Sequence, residues 1–263
     1  MIARQRQSEI YRDLQVSGAV SVNALAERFE VTDETIRRDL TKLAQGGRVV
    51  RTHGGAVLAE SDLVEPPFDV RQSANVEAKR AIAARAAAMA MPGDIIAIDA
   101  STTGLELAKQ LPDGSDEQPI TVVSNGLDVV RWLADRPGIN VISTGGEFDA
   151  AGVCFAGSIA ETTLRQFSFR RAFLSCRALD TVRGASESCP AHAAVKRLML
   201  DLAEESYLLA DSSKFGQRGA CYFAAPDRST RIITDAGVEP TDVEQVTSAG
   251  GNVEVLPAAQ SAE

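Results

Sequence analysis

The N-terminal part of the chain has apolar positions spaced first as in helices and then as in short strands. Apolar residues recur three and four positions apart in three segments, which predicts three helices. The first covers 3–16, the second follows an N-cap at Ser21, and the third follows an N-cap at Thr32. Short β patterns at 48–53 and 56–58, separated by glycines, predict a hairpin.

Farther along the chain, apolar runs alternate with amphipathic stretches, after an alanine-rich helix at 76–91. The predicted strands are 95–98, 120–123, 141–143, 171–174, 206–210 and 232–234, and the predicted helices between them are 103–110, 127–134 and 191–205. This alternation predicts an α/β fold, in which helices cover both faces of a mostly parallel sheet.

The two patterns predict two domains, 1–58 and 76–257. The stretch between them, 59–75, has no period and contains Pro66-Pro67, as expected of a linker, and 258–263 is predicted to be a loose tail. Charge supports the division, because residues 1–59 carry nine Lys and Arg against seven Asp and Glu, a net +2. Because the whole chain has a net charge of −9, the remaining residues carry −11. In that acidic part, only local basic positions can approach phosphates.

Composition narrows the class of protein further. The 263 residues are 44% hydrophobic and 24% charged, which excludes a disordered chain, a collagen-like repeat and a disulfide scaffold. Neither an apolar run of about 18 residues nor a secretory signal is present, so we expect a cytoplasmic protein that does not span a membrane. Four widely spaced cysteines and two histidines predict reduced thiols, no metal site and no cofactor. The cysteines are Cys154, Cys176, Cys189 and Cys221.

The three helices and the hairpin together are typical of a winged helix-turn-helix. The second helix of such a pair enters the major groove, and Arg suits forked contacts with guanine or phosphate. The candidate DNA contacts are Ser21, Thr32, Asp33, Thr35, Arg37, Arg38, Lys42, Arg48, Arg51, Thr52 and His53. The alternative is that Arg37 and Arg38 only pair with Glu34 and Asp39 on a solvated helix face.

Small or glycine-rich turns follow three predicted strands, at 99–103, 124–126 and 144–146. Loops at the carboxyl ends of parallel strands converge on one crevice, and the N–H groups at a helix start bind anions. With Lys214 after a further strand, these turns predict a site for a phosphate-bearing small ligand. The alternative is that the turns are ordinary caps, Lys214 lies in a surface turn, and Lys196 lies on a solvated helix face.

The strings VSVNALA (20–26), ETIRRDL (34–40) and RTHGGA (51–56) closely resemble the DeoR family of bacterial transcriptional regulators. The resemblance covers 3–58 and implies that this segment is the DNA-binding domain. Further landmarks extend the resemblance to the whole chain. They are Glu77, Lys79-Arg80, Ile82-Ala83, Asp99, Thr102-Thr103, Ser124-Asn125, Gly145-Gly146, Lys196-Arg197 and Ala210–Gly216.

For the second domain, the resemblance implies a Rossmann-like sensor fold related to ribose-phosphate isomerases, sugar-phosphate deaminases and CoA transferases. It also implies a phosphorylated sugar-like effector and, as in most members, repression. The effector residues carried over are Asp99, Ser101, Thr102, Thr103, Asn125, Gly145, Gly146, Lys196 and Lys214.

The chain departs from the family pattern at several positions near the expected crevice. Arg170 replaces a common Asp, and Ser101, Ser175 and Ala178 stand where glycines are common. Side chains in place of glycine narrow a crevice, and Arg177 adds either an anion partner or a plug. His192 stands where relatives often carry an acid.

The sequence therefore predicts a regulator that binds operator DNA as a homodimer or homotetramer. The resemblance implies that it represses a carbohydrate or related catabolic operon. One alternative is a sugar-phosphate isomerase or deaminase with a DNA-binding head. Such an enzyme needs a positioned base, and the resemblance to the isomerases implies that its catalytic acids would lie in 173–180. Asp180 is the only acid there, so no catalytic residue is predicted. Another alternative is a DNA-binding oligomer with a degenerate pocket.

Overall fold

The chain folds as two units, Met1–Ala74 and Asn75–Glu263. The computed structural model describes residues 3–17, 19–45, 49–52, 54–58, 67–115, 117–226 and 230–258. Within these ranges, no helix combines the length and the apolar character needed to cross a bilayer.

Helices surround a small antiparallel sheet in the N-terminal unit. In chain order its elements are α1 (Ala3–Ser17), β1 (Ala19–Ser21), α2 (Val22–Phe29), α3 (Asp33–Gln45), β2 (Val49–Arg51), β3 (Gly55–Leu58) and α4 (Phe68–Ser73). β3 lies between β1 and β2. The apolar positions that predicted the helices, among them Ile10, Leu14, Leu25, Ile36 and Leu40, are buried together in one core.

The predicted helices and hairpin of this unit are confirmed, and β1 and α4 are additions. β1 has three residues, too few for an alternating pattern to predict it. It lies so close to β3 that a Cβ on Gly55 would be 1.8 Å from the carbonyl oxygen of Val20, so strand packing requires this glycine. α4 occupies part of the predicted linker, and its Asp69 accepts a hydrogen bond from Arg12 at 3.0 Å.

The C-terminal unit is an α/β fold. In chain order its elements are α5 (Val76–Ala87), β4 (Ile95–Ile98), α6 (Thr102–Gln110), β5 (Ile120–Ser124), α7 (Leu127–Leu133), β6 (Ile139–Ser143), β7 (Glu147–Asp149), β8 (Cys154–Ala156), α8 (Gly157–Leu164), β9 (Phe169–Leu174), β10 (Ala178–Asp180), β11 (Gly184–Glu187), α9 (Pro190–Asp201), β12 (Ala203–Leu209), a 3-10 turn (Ser212–Lys214), β13 (Cys221–Ala224), β14 (Arg231–Thr234), α10 (Pro240–Ser248) and β15 (Asn252–Val255).

The predicted parallel sheet is confirmed. Among the described residues its strands run in the order β15-β14-β12-β9-β4-β5-β6, and every neighbouring pair is parallel. Antiparallel pairs β7–β8 and β10–β11, with β13 beside β11, lie outside this sheet. They were not predicted, because β7 (EFD), β10 (ALD) and β11 (GASE) lack the continuous apolar run that marks the strands of the parallel sheet.

Two helix boundaries differ from the predicted ones. α5 ends at Ala87 rather than at residue 91, before the turn at Pro92. α9 ends at Asp201, and 203–205 belong to β12 rather than to the helix. Pairing with β9, in which Glu205 lies opposite Arg171, holds this segment extended against the helical preference of its two glutamates.

Candidate functional site

α2 and α3 form the closely joined helix pair of a helix-turn-helix. Ser21 Oγ accepts a hydrogen bond from the Ala24 N–H at 3.1 Å, which confirms Ser21 as the cap of α2. Glu30, in the left-handed region at φ 52°, ends this helix. Thr32 Oγ1 then accepts a hydrogen bond from the Thr35 N–H at 3.3 Å at the start of α3. Ser21 and Thr32 thus fix the start of α2 and the start of α3, and α3 is the helix that the sequence predicts to enter the major groove.

The neighbouring charged residues of α3 have different environments. Asp39 is buried and accepts hydrogen bonds from Arg6 Nε at 2.6 Å and Gln7 Nε2 at 2.7 Å, which ties α3 to α1. It therefore does not pair with Arg38. The Arg38 side chain is 78% exposed, with its Nε 3.4 Å from Glu34 Oε1. Because so exposed a pair is weak, Arg38 remains able to contact a partner.

Arg51 links the predicted wing to α3. Its guanidinium donates to Thr41 Oγ1 at 3.1 Å, and Thr41 Oγ1 donates to the Arg37 carbonyl at 2.7 Å. Of the other predicted contacts, the exposed ones are Asp33, Lys42 and Thr52, and the half-buried ones are Thr35 and Arg37. The predicted contacts Arg48 and His53 lie outside the described residues.

In the C-terminal unit, the strand register brings three predicted turns together. Ile98 lies opposite Ser124, and Ser124 opposite Ser143, so β4, β5 and β6 end side by side. A Cβ on Gly126 would be 2.9 Å from Ala100 Cα, and the Thr144 N–H donates to the Ser124 carbonyl at 3.0 Å. The turns after the three strands therefore meet at the carboxyl edge of the sheet, as expected.

Two of the predicted effector residues, Asp99 and Lys196, form a buried ion pair with each other near this edge. Lys196 Nζ lies 2.9 Å from Asp99 Oδ2, 2.5 Å from Glu187 Oε1 and 2.8 Å from the Ser175 carbonyl. Asp99 also accepts hydrogen bonds from the N–H groups of Ser175 and Ser101, at 2.9 and 3.2 Å, and from Ser101 Oγ at 2.5 Å. Asp99 and Lys196 therefore join the turn after β4 to α9 and the segment after β9.

One buried ammonium faces two carboxylates in this network. Burial alone would lower the pKa of Lys196, but the carboxylates of Asp99 and Glu187 outweigh it and raise that pKa above its ordinary value. Lys196 is consequently a charged ammonium whose three donors all have protein partners. The sequence did not single out Glu187, and it named Ser175 only as a departure from the family pattern, because pairing across the fold leaves no spacing signal.

Lys214 lies near the same network but has a different environment. Burial raises the pKa of the Cys176 thiol to about 12, and the Lys214 ammonium acts in the opposite direction. The residue after Lys214, Phe215, pairs with Leu179 and packs in the same core as Cys176, the residue after Ser175. Of the described carboxylates, none is within salt-bridge distance of Lys214, so its charge is open to an anion.

The three turns contribute further polar groups to the crevice, besides Asp99. Ser101 caps α6 by accepting the Gly104 N–H at 2.8 Å, and Thr102 and Thr103 form the first turn. Asn125 donates through Nδ2 to the Phe155 carbonyl at 3.0 Å, and its buried Oδ1 has no hydrogen-bond partner in the described structure. Gly145 has left-handed backbone (φ 61°), and open space surrounds its Cβ position.

Family comparisons match both units. The DeoR-like helix-turn-helix domain matches residues 6–62, and the DeoR C terminal sensor domain matches residues 74–236. The chain belongs to the DeoR family of transcriptional regulators.

Relatives in the family match over nearly the whole length. The chain is 37% identical to the uncharacterized HTH-type transcriptional regulator YulB of Bacillus subtilis, over 98% of both chains. It is 35% identical to the transcriptional repressor AccR of Agrobacterium fabrum, over 89% of this chain and 90% of the relative. It is 32% identical to the putative aga operon transcriptional repressor of Escherichia coli O157:H7, over 96% of this chain and 93% of the relative.

The departures from the DeoR pattern fit the backbone without strain. Ser101 has φ −82°, and neither Ser175 nor Ala178 has positive φ, so no glycine is required at these positions. Arg170 is exposed and pairs with Glu204. Arg177 is half-buried.

Proposed function

We propose that this DeoR-family protein is a transcriptional repressor whose operator affinity is controlled by a phosphorylated sugar-like metabolite. The observation that carries the proposal is the exposed Arg38 on the second helix of the helix-turn-helix, in a chain that matches the family over both units. In this proposal α3 enters the major groove, and Arg51 on the wing contacts the phosphate backbone.

The effector is proposed to bind at the carboxyl edge of β4, β5 and β6. Its phosphate would accept hydrogen bonds from the N–H groups and hydroxyls of Thr102 and Thr103 and from the Lys214 ammonium. A sugar hydroxyl would donate to Asn125 Oδ1, and the open space at Gly145 would admit the ligand. Because Asp99 and Lys196 are already bonded to each other and to other protein groups, we propose that they support the structure of the site and do not contact the effector.

Catalysis is not part of the proposal. Asp180 accepts hydrogen bonds from the Val182 and Arg183 N–H groups at 2.9 and 3.0 Å and from Arg218 Nε at 3.0 Å. Burial alone would raise the pKa of Asp180, but these backbone donors and Arg218 outweigh it and lower the pKa. A carboxylate held in this way is a poor general base near neutral pH. The isomerase or deaminase alternative therefore lacks support at this segment.

Repression is proposed because relatives such as AccR are named as repressors. Winged-helix heads act in pairs on repeated half-sites, so the proposal includes a homodimer or homotetramer working in the cytoplasm, where the operator is. Differential affinity of the effector for the DNA-bound and released states would couple the two units.

The test begins with the DNA that the full-length protein selects from its own genome. Sequencing should reveal a repeated motif, and a band-shift titration with sugar phosphates should release the operator where the unphosphorylated sugars do not. Failure to select any motif would refute the DNA-binding proposal. If the motif is selected but no phosphorylated metabolite changes operator affinity, the alternative of a degenerate pocket replaces the effector proposal.

A further inference from the structure

Three side chains with metal-binding chemistry meet beside the β7–β8 pair. Asp149 ends β7, Cys154 begins β8, and His192 lies in the first turns of α9. His192 Nε2 is 3.0 Å from Asp149 Oδ2 and 3.3 Å from Cys154 Sγ, and the three ligand atoms lie within 4.8 Å of one another. The thiol is buried and the His192 side chain is 12% exposed, whereas the Asp149 side chain is 40% exposed, so the cluster opens to water on the Asp149 side.

Two groups approach the same ring nitrogen of His192. Nε2 offers either one N–H or one lone pair in the plane of the ring, so it makes one well-aligned hydrogen bond. Here a carboxylate oxygen and a sulfur both approach that nitrogen. Three potential ligand atoms that converge in this way are typical of a coordination sphere.

The backbone between Asp149 and Cys154 gives two independent observations. A Cβ on Gly152 would lie 2.9 Å from Cys154 Sγ, 3.1 Å from Asp149 Oδ2 and 3.1 Å from His192 Cε1, so all three groups pack closely around Gly152 and a side chain there would crowd them. Val153 has φ 52°, a strained conformation for a β-branched residue. Such strain clusters at ligand-binding sites, where the surrounding structure imposes it.

We propose that Asp149, Cys154 and His192 form a binding site for a Zn²⁺ ion. Thiolate, imidazole and carboxylate are the ligands that zinc takes, whereas Mg²⁺ and Ca²⁺ prefer oxygen atoms only. Tetrahedral zinc with ordinary bond lengths separates its nitrogen ligand from sulfur or oxygen by about 3.4–3.6 Å. The two separations from His192 Nε2, 3.0 and 3.3 Å, differ from that by a few tenths of an ångström. The fourth position is left for water or another small ligand.

The sequence alone could not predict this site. Asp149 and Cys154 are five residues apart, and His192 follows 38 residues after Cys154, a spacing unlike that of a zinc motif. Folding of α9 against β8 brings them together. Cys154 pairs with Gly126 in the turn after β5, so the site borders the proposed effector crevice. Its three ligands include none of the proposed effector residues, so the proposal does not depend on the effector proposed above.

The experiment uses the full-length protein after treatment with a chelator. Zn²⁺ is added, the protein is separated from free metal, and bound metal is measured by mass spectrometry. Co²⁺ serves as a second probe, because coordination by Cys154 gives sulfur-to-cobalt charge-transfer absorption in the near ultraviolet. We expect one equivalent of metal in the parent and in two control variants, Cys221→Ser and His53→Gln.

Changing a proposed ligand should remove this binding. Second-shell changes around metal sites cost about 10–100-fold in affinity, so Cys154→Ser, His192→Gln and Asp149→Asn should each cost at least that much. Of the three variants, Asp149→Asn should disturb folding least, because this side chain is 40% exposed. Trp132 fluorescence shows whether each variant is folded. The proposal is overturned if the parent binds neither metal, or if folded Asp149→Asn and His192→Gln bind as the parent does.

Discussion

The two units place their predicted functional residues in opposite environments. In the N-terminal unit, Arg38 is 78% exposed and makes one long ion pair on its own helix. In the C-terminal unit, the Lys196 side chain is 11% exposed, and all of its donors are bound to protein groups. Both are cations that a family pattern singles out, yet one can reach a partner without rearrangement and the other cannot.

The same contrast appears within the C-terminal unit, between Lys196 and Lys214. Lys196 links two carboxylates, whereas Lys214 has no carboxylate partner among the described residues. A basic residue near a crevice therefore has one of two roles, to build the site or to bind in it. Its internal partners decide which role applies, and substitutions can test the distinction.

The largest effect is expected from Lys196→Ala. Removing the ammonium leaves Asp99 and Glu187 buried without a counter-charge, which should cost about 3–5 kcal/mol in the free energy of unfolding of the C-terminal unit. Trp132, the only tryptophan in the sequence, lies in this unit, so its fluorescence in a denaturant titration reports the change. Arg197→Ala, the adjacent exposed residue, should cost no more than about 1 kcal/mol. A loss for Lys196→Ala as small as for Arg197→Ala would contradict the assigned role.

Lys214→Ala should leave folding and operator affinity unchanged but weaken the response to effector. A lost charge-assisted hydrogen bond costs about 1.5–3 kcal/mol, so roughly 10–100-fold more sugar phosphate should be needed for release. The measurement is a band-shift titration of the operator complex. Lys214→Arg should retain most of the response, since it keeps the charge. An unchanged response in both Lys214→Ala and Thr102→Val would mean that the effector binds elsewhere.

Most of the large elements could be predicted from the sequence, because each buries one face. The stripe of Ile36 and Leu40 predicted α3, and the apolar run at 95–98 predicted β4. Prediction failed where neighbours decide the structure. At 203–205 pairing with β9 overrides helical preference, and β1 exists because it packs against Gly55.

The candidate sites were predictable to different extents for the same reason. The residues of the helix-turn-helix lie close together in the sequence, so its surface residues could be named from local spacing. In the C-terminal unit, the turns after β4, β5 and β6 could be named because strand ends carry small polar residues. Which of those residues bind each other depends on Ser175 and Glu187, which come from other elements. No local pattern contains that information.

Arg38→Ala should weaken operator binding by about 1–3 kcal/mol if Arg38 contacts a base edge. Arg37→Ala serves as the neighbouring comparison, because its side chain is half-buried. Band shifts with operator and with an unrelated duplex separate base contact from general attraction. A base contact makes the loss larger on operator than on the unrelated duplex. If neither variant changes operator affinity, α3 is not the recognition helix.

The smallest effect is expected from Arg51→Ala, and it should differ in kind. The hydrogen bond to Thr41 holds the exposed Arg51 guanidinium beside α3, so it can meet a phosphate while Arg38 meets a base. Each phosphate contact contributes about 0.9 to the slope of log affinity against log salt concentration. Arg51→Ala should therefore reduce that slope by about 1 and weaken operator and unrelated duplex alike. A change in sequence preference with an unchanged slope would instead assign base contact to the wing, because a group that reads bases alters the ratio of the two affinities.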